Sequence, residues 1–503
     1  MEFRSLHLPS FLATLVLYFT AMLGIGAYFF HRNRSIADYL LGDRRLGPWV
    51  TSLSAEASDM GGWLLMGLPG FAYCAGNAAF WIVAGLTAGT YCNWKWVAAR
   101  LRAYAEIAGN SLTISNFLQH RFCSNSSTIR AVSGIFIFIF FILYVAAGFA
   151  AAGRFLGSIL SMDQVLATAL AALVTITYTA LGGFLAVCWT DAIQGMFMFF
   201  AVLVVPFAAF HCLGGVAAIP HALQFAPPFF FSIGHGIGGE KLSIIAIISL
   251  MGWGLGYFGQ PHILVRFMAM KEISRVPLAR NIAMQWVSWS LLAAMLVGIL
   301  GRLCGEIQLT GTDVENIFFV LGDRVFSPFL LNLVLLGVLA AIMSTTSSQL
   351  LVAASSFSKD FYGLLLRPRA NSRELLHVSR IAVWLVSLLA FFMAKNSHNF
   401  ILHMVGYAWA GFGASLGPAL LFSLFWRRTT EKGVLAGIVA GGLAVILWKN
   451  FPPIELYELV PAFFLSSLAI VGTSFLDSRP SNDVLATFDC VGTAMKTDRP
   501  RPA

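Results

Sequence analysis

Apolar runs of about 20 residues follow one another almost end to end along this chain, each long enough to cross the hydrocarbon core of a bilayer. They lie near residues 8–30, 48–74, 78–98, 129–155, 163–181, 188–212, 242–262, 280–301, 327–357, 376–394, 400–425, 433–449 and 457–476. That pattern predicts an all-α polytopic membrane protein with about thirteen transmembrane helices, in one domain over residues 1–476. Residues 477–503, rich in Pro, Ser and Asp, read as a flexible cytoplasmic tail too short to house a catalytic domain. The first run is too long for a cleavable signal and no small-residue cleavage site closes it.

Two of these runs break the apolar rule. Between Ser54 and Gly70 the chain places Asp59, four glycines and a proline at bilayer depth. A charge there is costly, and an interrupted helix leaves backbone groups that something else must bind. Residues 252–261 set Gly252, Gly254, Gly256 and Gly259 before Gln260 and Pro261. Paired broken segments point to an inverted-repeat secondary transporter with its site at the breaks. The breaks open the second and seventh runs, so the offset is five helices and the second copy is inverted. The repeats would span 48–212 and 242–425. Close helix packing through small residues is the plainer alternative, but it needs neither Asp59 nor Pro261.

Composition agrees with a membrane setting. Hydrophobic residues make up 58% of the chain, charged residues 11%, and the mean hydropathy is +0.78; soluble domains carry about 25% charged residues. The net charge of +9 is spread over alternate connections. They carry Arg32, Arg34, Arg44 and Arg45; Arg100, Arg102 and Arg121; Arg266, Lys271, Arg275 and Arg280; Lys359, Arg367, Arg369 and Arg373; and Arg427, Arg428 and Lys432. The positive-inside rule makes these cytoplasmic, with the N-terminus outside and the tail bearing Lys496, Arg499 and Arg501 inside. The opposite connections differ: 213–239 has no Lys or Arg, and 302–326 mixes Arg302 and Arg324 with Glu306, Asp313, Glu315 and Asp323. Dispersed in this way, the cations do not form a nucleic-acid-binding face. The seven cysteines make no CxxC pair, the ten histidines no HExxH, and neither a GxSxG elbow nor a phosphate loop occurs. Disulfide frameworks, zinc hydrolysis and ATP hydrolysis therefore have no support, and any transport would draw on an ion or solute gradient.

Five stretches, residues 57–70, 182–191, 252–267, 340–345 and 407–414, stand in the order found in the sodium/solute symporter family. The chain resembles that family from about residue 8 to 475, most of all its bacterial sodium/proline branch. The resemblance implies a leucine-transporter-type fold of inverted five-helix repeats, residence in the cell inner membrane, and cotransport of L-proline with Na+. It implies Ala57, Met60, Ala341, Ser344 and Thr345 as sodium ligands. The chemistry suits a hard cation, which prefers carbonyl and hydroxyl oxygens. Ordinary back-bonding to a carbonyl one turn earlier is the bland reading of Ser344 and Thr345. For proline, the N-termini of the broken helices can receive the carboxylate through free amides and dipole, and Trp63, Tyr144, Trp253 and Tyr257 offer aromatic faces to the ring and its cationic nitrogen. Their alternative role is interfacial anchoring.

Asp59 has three open roles: sodium contact, ammonium partner, or a buried charge holding the unwound turn. Asp191 reads either as a helix N-cap or, by the resemblance, as part of the internal sodium path. Arg44 matches a functional arginine of the family, against plain topological signalling. Two residues depart from the family pattern. Gly61 stands where a serine is usual. Glu56 stands where a small residue is usual, and it either faces the cavity or is solvated in the cytoplasmic vestibule. The reading is a sodium-coupled proline importer working by alternating access, without an obligate protein partner. Its rivals are the same machine with another amino acid or a small carboxylate, a transporter-like solute sensor, and a membrane-embedded enzyme, for which the loops offer no paired catalytic residues.

Overall fold

The protein is described from a computed structural model covering residues 7–30, 35–305, 307–395 and 399–497. Arg32, Arg34, Glu306, Arg499 and Arg501 lie outside the described residues. Among the described residues the regular structure is helical, with no strand beyond two isolated bridges.

The helices, in chain order, are α1 (Leu8–Phe30), α2 (Ile36–Leu41), α3 (Pro48–Asp59), α4 (Leu68–Ala75), α5 (Phe80–Cys92), α6 (Ala99–Ile107), α7 (Ile114–Arg121), α8 (Thr128–Leu160), α9 (Gln164–Cys212) and α10 (Ile219–Ala222). They continue as α11 (Ile244–Met251), α12 (Pro261–Met268), α13 (Val276–Leu303), α14 (Ile317–Val325), α15 (Pro328–Ser355), α16 (Ser372–Ala394), α17 (Ile401–Phe425), α18 (Glu431–Asn450), α19 (Leu459–Leu476) and α20 (Asn482–Thr497). Local chemistry starts many of them. Pro48, Pro261 and Pro328 stand in first turns, where the missing N–H costs no bond. Asn371 and Thr430 cap α16 and α18 by accepting from Glu374 N and Gly433 N at 2.8 and 3.2 Å.

Ten helical stretches among the described residues are long and apolar enough to cross a membrane, or eleven with one bent pair counted as a span. The expected figure of about thirteen divides two of these stretches, 63–107 and Gln164–Cys212. The second runs for 49 residues but is broken at Gly183, whose φ of 66° and ψ of −165° are not helical. A straight helix of that length would reach about 70 Å, more than twice the hydrocarbon thickness. Large apolar side chains face outward along the spans, among them Leu17, Phe207 and Ile381 at 72%, 76% and 66% exposure. With lipid as the outer solvent, an apolar surface needs no further explanation.

Both expected breaks are present, the second displaced. α3 ends at Asp59; Met60 turns to φ −81°, ψ 75°, and the chain rewinds through a π-helical turn, Trp63–Gly67, into α4. Residues 252–259 are not unwound: they form a tightened 3-10 helix continuing α11. The break falls at Gln260, with ψ 104°, where Pro261 opens α12 and the axis bends by 43°. The residue before a proline is pushed out of the helical region, which places the break there. The glycines also serve close packing: a Cβ on Gly254 would lie 2.1 Å from the carbonyl oxygen of Gly85 on α5. The packing alternative therefore explains part of this segment, and the break the rest.

The tail departs from expectation. Residues 482–497 are helical, and Val484, Phe488 and Val491, at helical spacing, bury one stripe of α20 against the protein. Phe488 lies 5.0 and 5.1 Å from the guanidinium carbons of Arg100 and Arg121, and Asp489 pairs with Arg427 at 2.9 Å.

Candidate functional site

The first break faces α15. Ser344 Oγ donates to the carbonyl oxygen of Ala57 at 2.8 Å and to that of Ala341 at 3.0 Å; Thr345 Oγ1 donates to Ala57 at 3.2 Å. Back-bonding accounts for one of these three contacts and not for the two that cross between helices. All four residues are buried. Two carbonyls and two hydroxyls thus meet where α3 ends, an all-oxygen group of the kind hard cations prefer. Met60, also fully buried, occupies the turn itself, its amide bonded to Glu56 O at 2.8 Å. Gly61 sits under Thr345: a Cβ there would lie 2.7 Å from Thr345 Oγ1. The missing side chain is what lets this hydroxyl come close.

Asp59 joins the two breaks. One carboxylate oxygen accepts from the Tyr257 hydroxyl at 2.6 Å, its carbonyl accepts from Trp63 Nε1 at 2.8 Å, and Oδ1 has no side-chain or backbone donor. Glu56 is 1% exposed and accepts from Trp94 Nε1 at 2.9 Å through one oxygen. The vestibule alternative for Glu56 therefore does not hold.

The four aromatic candidates cluster. Trp63 and Trp253 lie 6.5 Å apart, Trp253 stacks on Tyr457 at 5.3 Å, and Tyr257 meets Trp409 edge-on at 5.0 Å. Trp409 Nε1 donates to Trp253 O at 2.8 Å, so α17 braces the second broken helix. Buried in this way, the aromatics are not interfacial anchors. Tyr144 and Trp63 line a narrow cavity of about 10 Å³ with Thr345, Gln349, Ile401 and Val405, room for about one water.

Asp191 is not an N-cap. It sits within α9, two turns past Gly183, wholly buried, and accepts from Ser54 Oγ at 2.7 Å, Arg266 Nη2 at 2.8 Å and Ser348 Oγ at 2.9 Å. Arg266, counted above among the loop cations, is 1% exposed inside α12 and also donates to His262 O and to Ser348 Oγ. This buried pair ties α3, α9, α12 and α15 together. Part of the signal was available, since Asp191 is a lone charge within the run 188–212, whereas Arg266 stands just past the end of the run 242–262.

Arg44 lies apart from these groups. It donates to the carbonyls of Met268 and Ser111 at 2.5 and 3.0 Å and to Asn110 Oδ1 at 3.1 Å. It thereby ties the loop before α3 to the end of α12 and to the loop after α6. Burial pushes its guanidinium down to about 10, so it keeps its charge at neutral pH. Asp43 and Arg44 hold φ values of 52° and 54°, a left-handed turn uncommon without glycine.

The fold is shared with solved structures. A substrate-bound, outward-open Na+-coupled sialic acid symporter superposes with TM-score 0.76 at 18% identity, covering 94% of this chain and 98% of its own. Mhp1, a nucleobase-cation-symport-1 family transporter in a closed conformation, gives 0.56 at 11% identity, over 91% and 99%. These likenesses establish the leucine-transporter-type architecture. Sequence relatives are nearer. The high-affinity proline transporter PutP of Bacillus subtilis is 45% identical over 470 residues, 93% of this chain and 98% of the relative. The sodium/proline symporter of Escherichia coli is 42% identical over 478 residues, 93% and 94%. The model of the sodium:solute symporter family matches residues 39–441. With that match and those relatives, the chain belongs to the sodium:solute symporter family.

Proposed function

We propose that this protein is a secondary active symporter that couples inward sodium flow to uptake of L-proline across the cytoplasmic membrane. The observation that carries the reading is the meeting of the Ser344 and Thr345 hydroxyls on the Ala57 carbonyl at the end of a broken helix. Sodium would be held by the carbonyls of Ala57, Met60 and Ala341 and by the two hydroxyls. Its ligands then come from α3 and α15, so the ion draws the two helices together. Names of relatives 38–45% identical over most of the chain support proline as the cargo.

Proline would lie against Trp63, Tyr144, Trp253 and Tyr257, its ring on aromatic faces. Asp59 stands between the ion ligands and Tyr257 and would link ion binding to solute binding. The cavity is too small for a proline as it stands, so admission requires Trp63, Tyr144, Ile401 and Val405 to separate, as alternating access demands. The two breaks would belong to repeats over 48–212 and 242–425, with the N-terminus outside and the cation-rich loops in the cytoplasm.

Equilibrium binding to the purified protein tests the choice of cargo. L-proline is expected to bind in sodium and to lose affinity at least about tenfold in potassium, and other amino acids and small carboxylates are expected to compete weakly. Binding that ignores sodium, or a different solute that outcompetes proline, would contradict the reading.

A further inference from the structure

The narrow cavity beside Trp63 is lined by five residues with polar side-chain groups, and three of these are already bonded. Trp63 Nε1 is held by Asp59 O, Thr345 Oγ1 by Ala57 O and Thr346 Oγ1 by Ile342 O. Two exceptions remain among the residues lining it: the carboxamide of Gln349 and the hydroxyl of Tyr144. Gln349 has 0% exposure, and neither its nitrogen nor its oxygen has a protein partner, so the observation holds whichever way the amide is turned. A buried carboxamide left in this state loses hydration without recompense. Gln349 follows Thr345 by four residues on α15, and therefore shares the face that carries the hydroxyl at the first break.

We propose that Gln349, with the Tyr144 hydroxyl, receives the carboxylate of the transported amino acid. This rests on the reading that the solute is proline, and it adds side-chain donors for the carboxylate to that reading. A zwitterion brings a carboxylate into a cavity that no Lys or Arg lines, so the negative end must be met by neutral donors. The Gln349 amide offers two N–H groups and Tyr144 one O–H, and no other side-chain donor in the lining is uncommitted. An acceptor for the ammonium stands next to the cavity. Asp59 is not itself in the lining, but it stands two residues before Gly61, which is, and it keeps Oδ1 without a donor among the described residues. Donors on α15 and α8, with the Asp59 carboxylate at the end of α3, would set which way round the solute lies, while the aromatic faces hold its ring. The motif match did not assign Gln349, and its only trace in the sequence is an amide after a hydroxyl-bearing stretch of an apolar helix that holds one other amide, Asn332.

The test compares the reconstituted full chain with Gln349→Leu and Gln349→Met, using L-proline and pyrrolidine, which keeps the ring and the cationic nitrogen but has no carboxylate. The proline KM is expected to rise about tenfold or more in both variants. Pyrrolidine inhibition and the half-saturating sodium concentration are expected to stay within about twofold. Parallel loss of proline and pyrrolidine would make Gln349 a packing residue and overturn the proposal, as would an unchanged proline KM. If neither variant folds, the wild type decides alone: pyrrolidine binding as tightly as proline would exclude a carboxylate subsite, and proline binding at least about tenfold tighter would support one. Absence of sodium-stimulated proline uptake by the wild type would instead defeat the assignment of cargo, a separate outcome.

Discussion

The hydroxyl of Tyr257 donates to the Asp59 carboxylate at 2.6 Å, joining the tightened stretch before the second break to the last residue of the helix before the first. With Oδ1 unpartnered, this is the one side-chain bond the carboxylate makes among the described residues. Tyr257→Phe keeps the ring and removes that bond. A hydrogen bond to a charged group contributes about 1.5–3 kcal/mol, so transport efficiency is expected to fall at least about tenfold. Initial-rate uptake measurements check this, and an unchanged rate would show that the two breaks work independently.

The sodium ligands can be separated from the solute contacts. Ser344→Ala and Thr345→Val each delete a hydroxyl that bonds the Ala57 carbonyl and leave the aromatic cluster untouched. Each is expected to raise the half-saturating sodium concentration about tenfold, with the proline KM at saturating sodium little changed. A sodium titration of uptake measures both.

Gly61 departs from the family pattern, and the structure gives it a local role. Gly61→Ala would bring a Cβ to 2.7 Å from Thr345 Oγ1, a separation that real structures avoid, so Thr345 must move off the Ala57 carbonyl. Weaker sodium binding is the expected result. Sodium titration of Gly61→Ala alone and combined with Thr345→Val tests the cause, because the second change removes the displaced hydroxyl and the two effects should not add.

The buried Asp191 and Arg266 pair supplies a stability prediction. Removing one partner strands the other charge, at about 3–5 kcal/mol. Arg266→Met is therefore expected to lower the thermal midpoint of the purified protein markedly. Asp191→Leu combined with Arg266→Met should recover much of that loss, because no charge is left stranded. If the double variant is as unstable as the sum of the singles, the pair is not what holds α9 and α12 together.

Much of this arrangement was legible before the structure. Asp59 among glycines at bilayer depth, and a glycine-rich run closed by Pro261, each announced a break, because lipid leaves a free peptide group few alternatives. The second break stands at the end of the 252–261 segment, at Gln260, and not among its glycines. Repeated glycines suggested unwinding, whereas here they permit α5 to approach and it is Pro261 that expels Gln260 from the helix. Asp191 looked like a cap because the run was read as starting near residue 188, whereas the turn is at Gly183, two helical turns before Asp191. Arg266 looked like a loop cation because its partner is 75 residues away. The tail helix was hidden because Pro, Ser and Asp dominate its surroundings, although Val484, Phe488 and Val491 carry the helical spacing. Gln349 gave no periodic signal; only the cavity around it makes its idle amide meaningful.

Radiolabelled proline uptake into proteoliposomes, with and without an inward sodium gradient, for the wild type and for Asp59→Asn, tests the coupling most directly. The account predicts accumulation in the wild type that collapses to the level of empty vesicles without the gradient, and an Asp59→Asn variant at that level under both conditions. Equal uptake in all of these conditions, or sodium-dependent binding by the wild type with no flux, would contradict it.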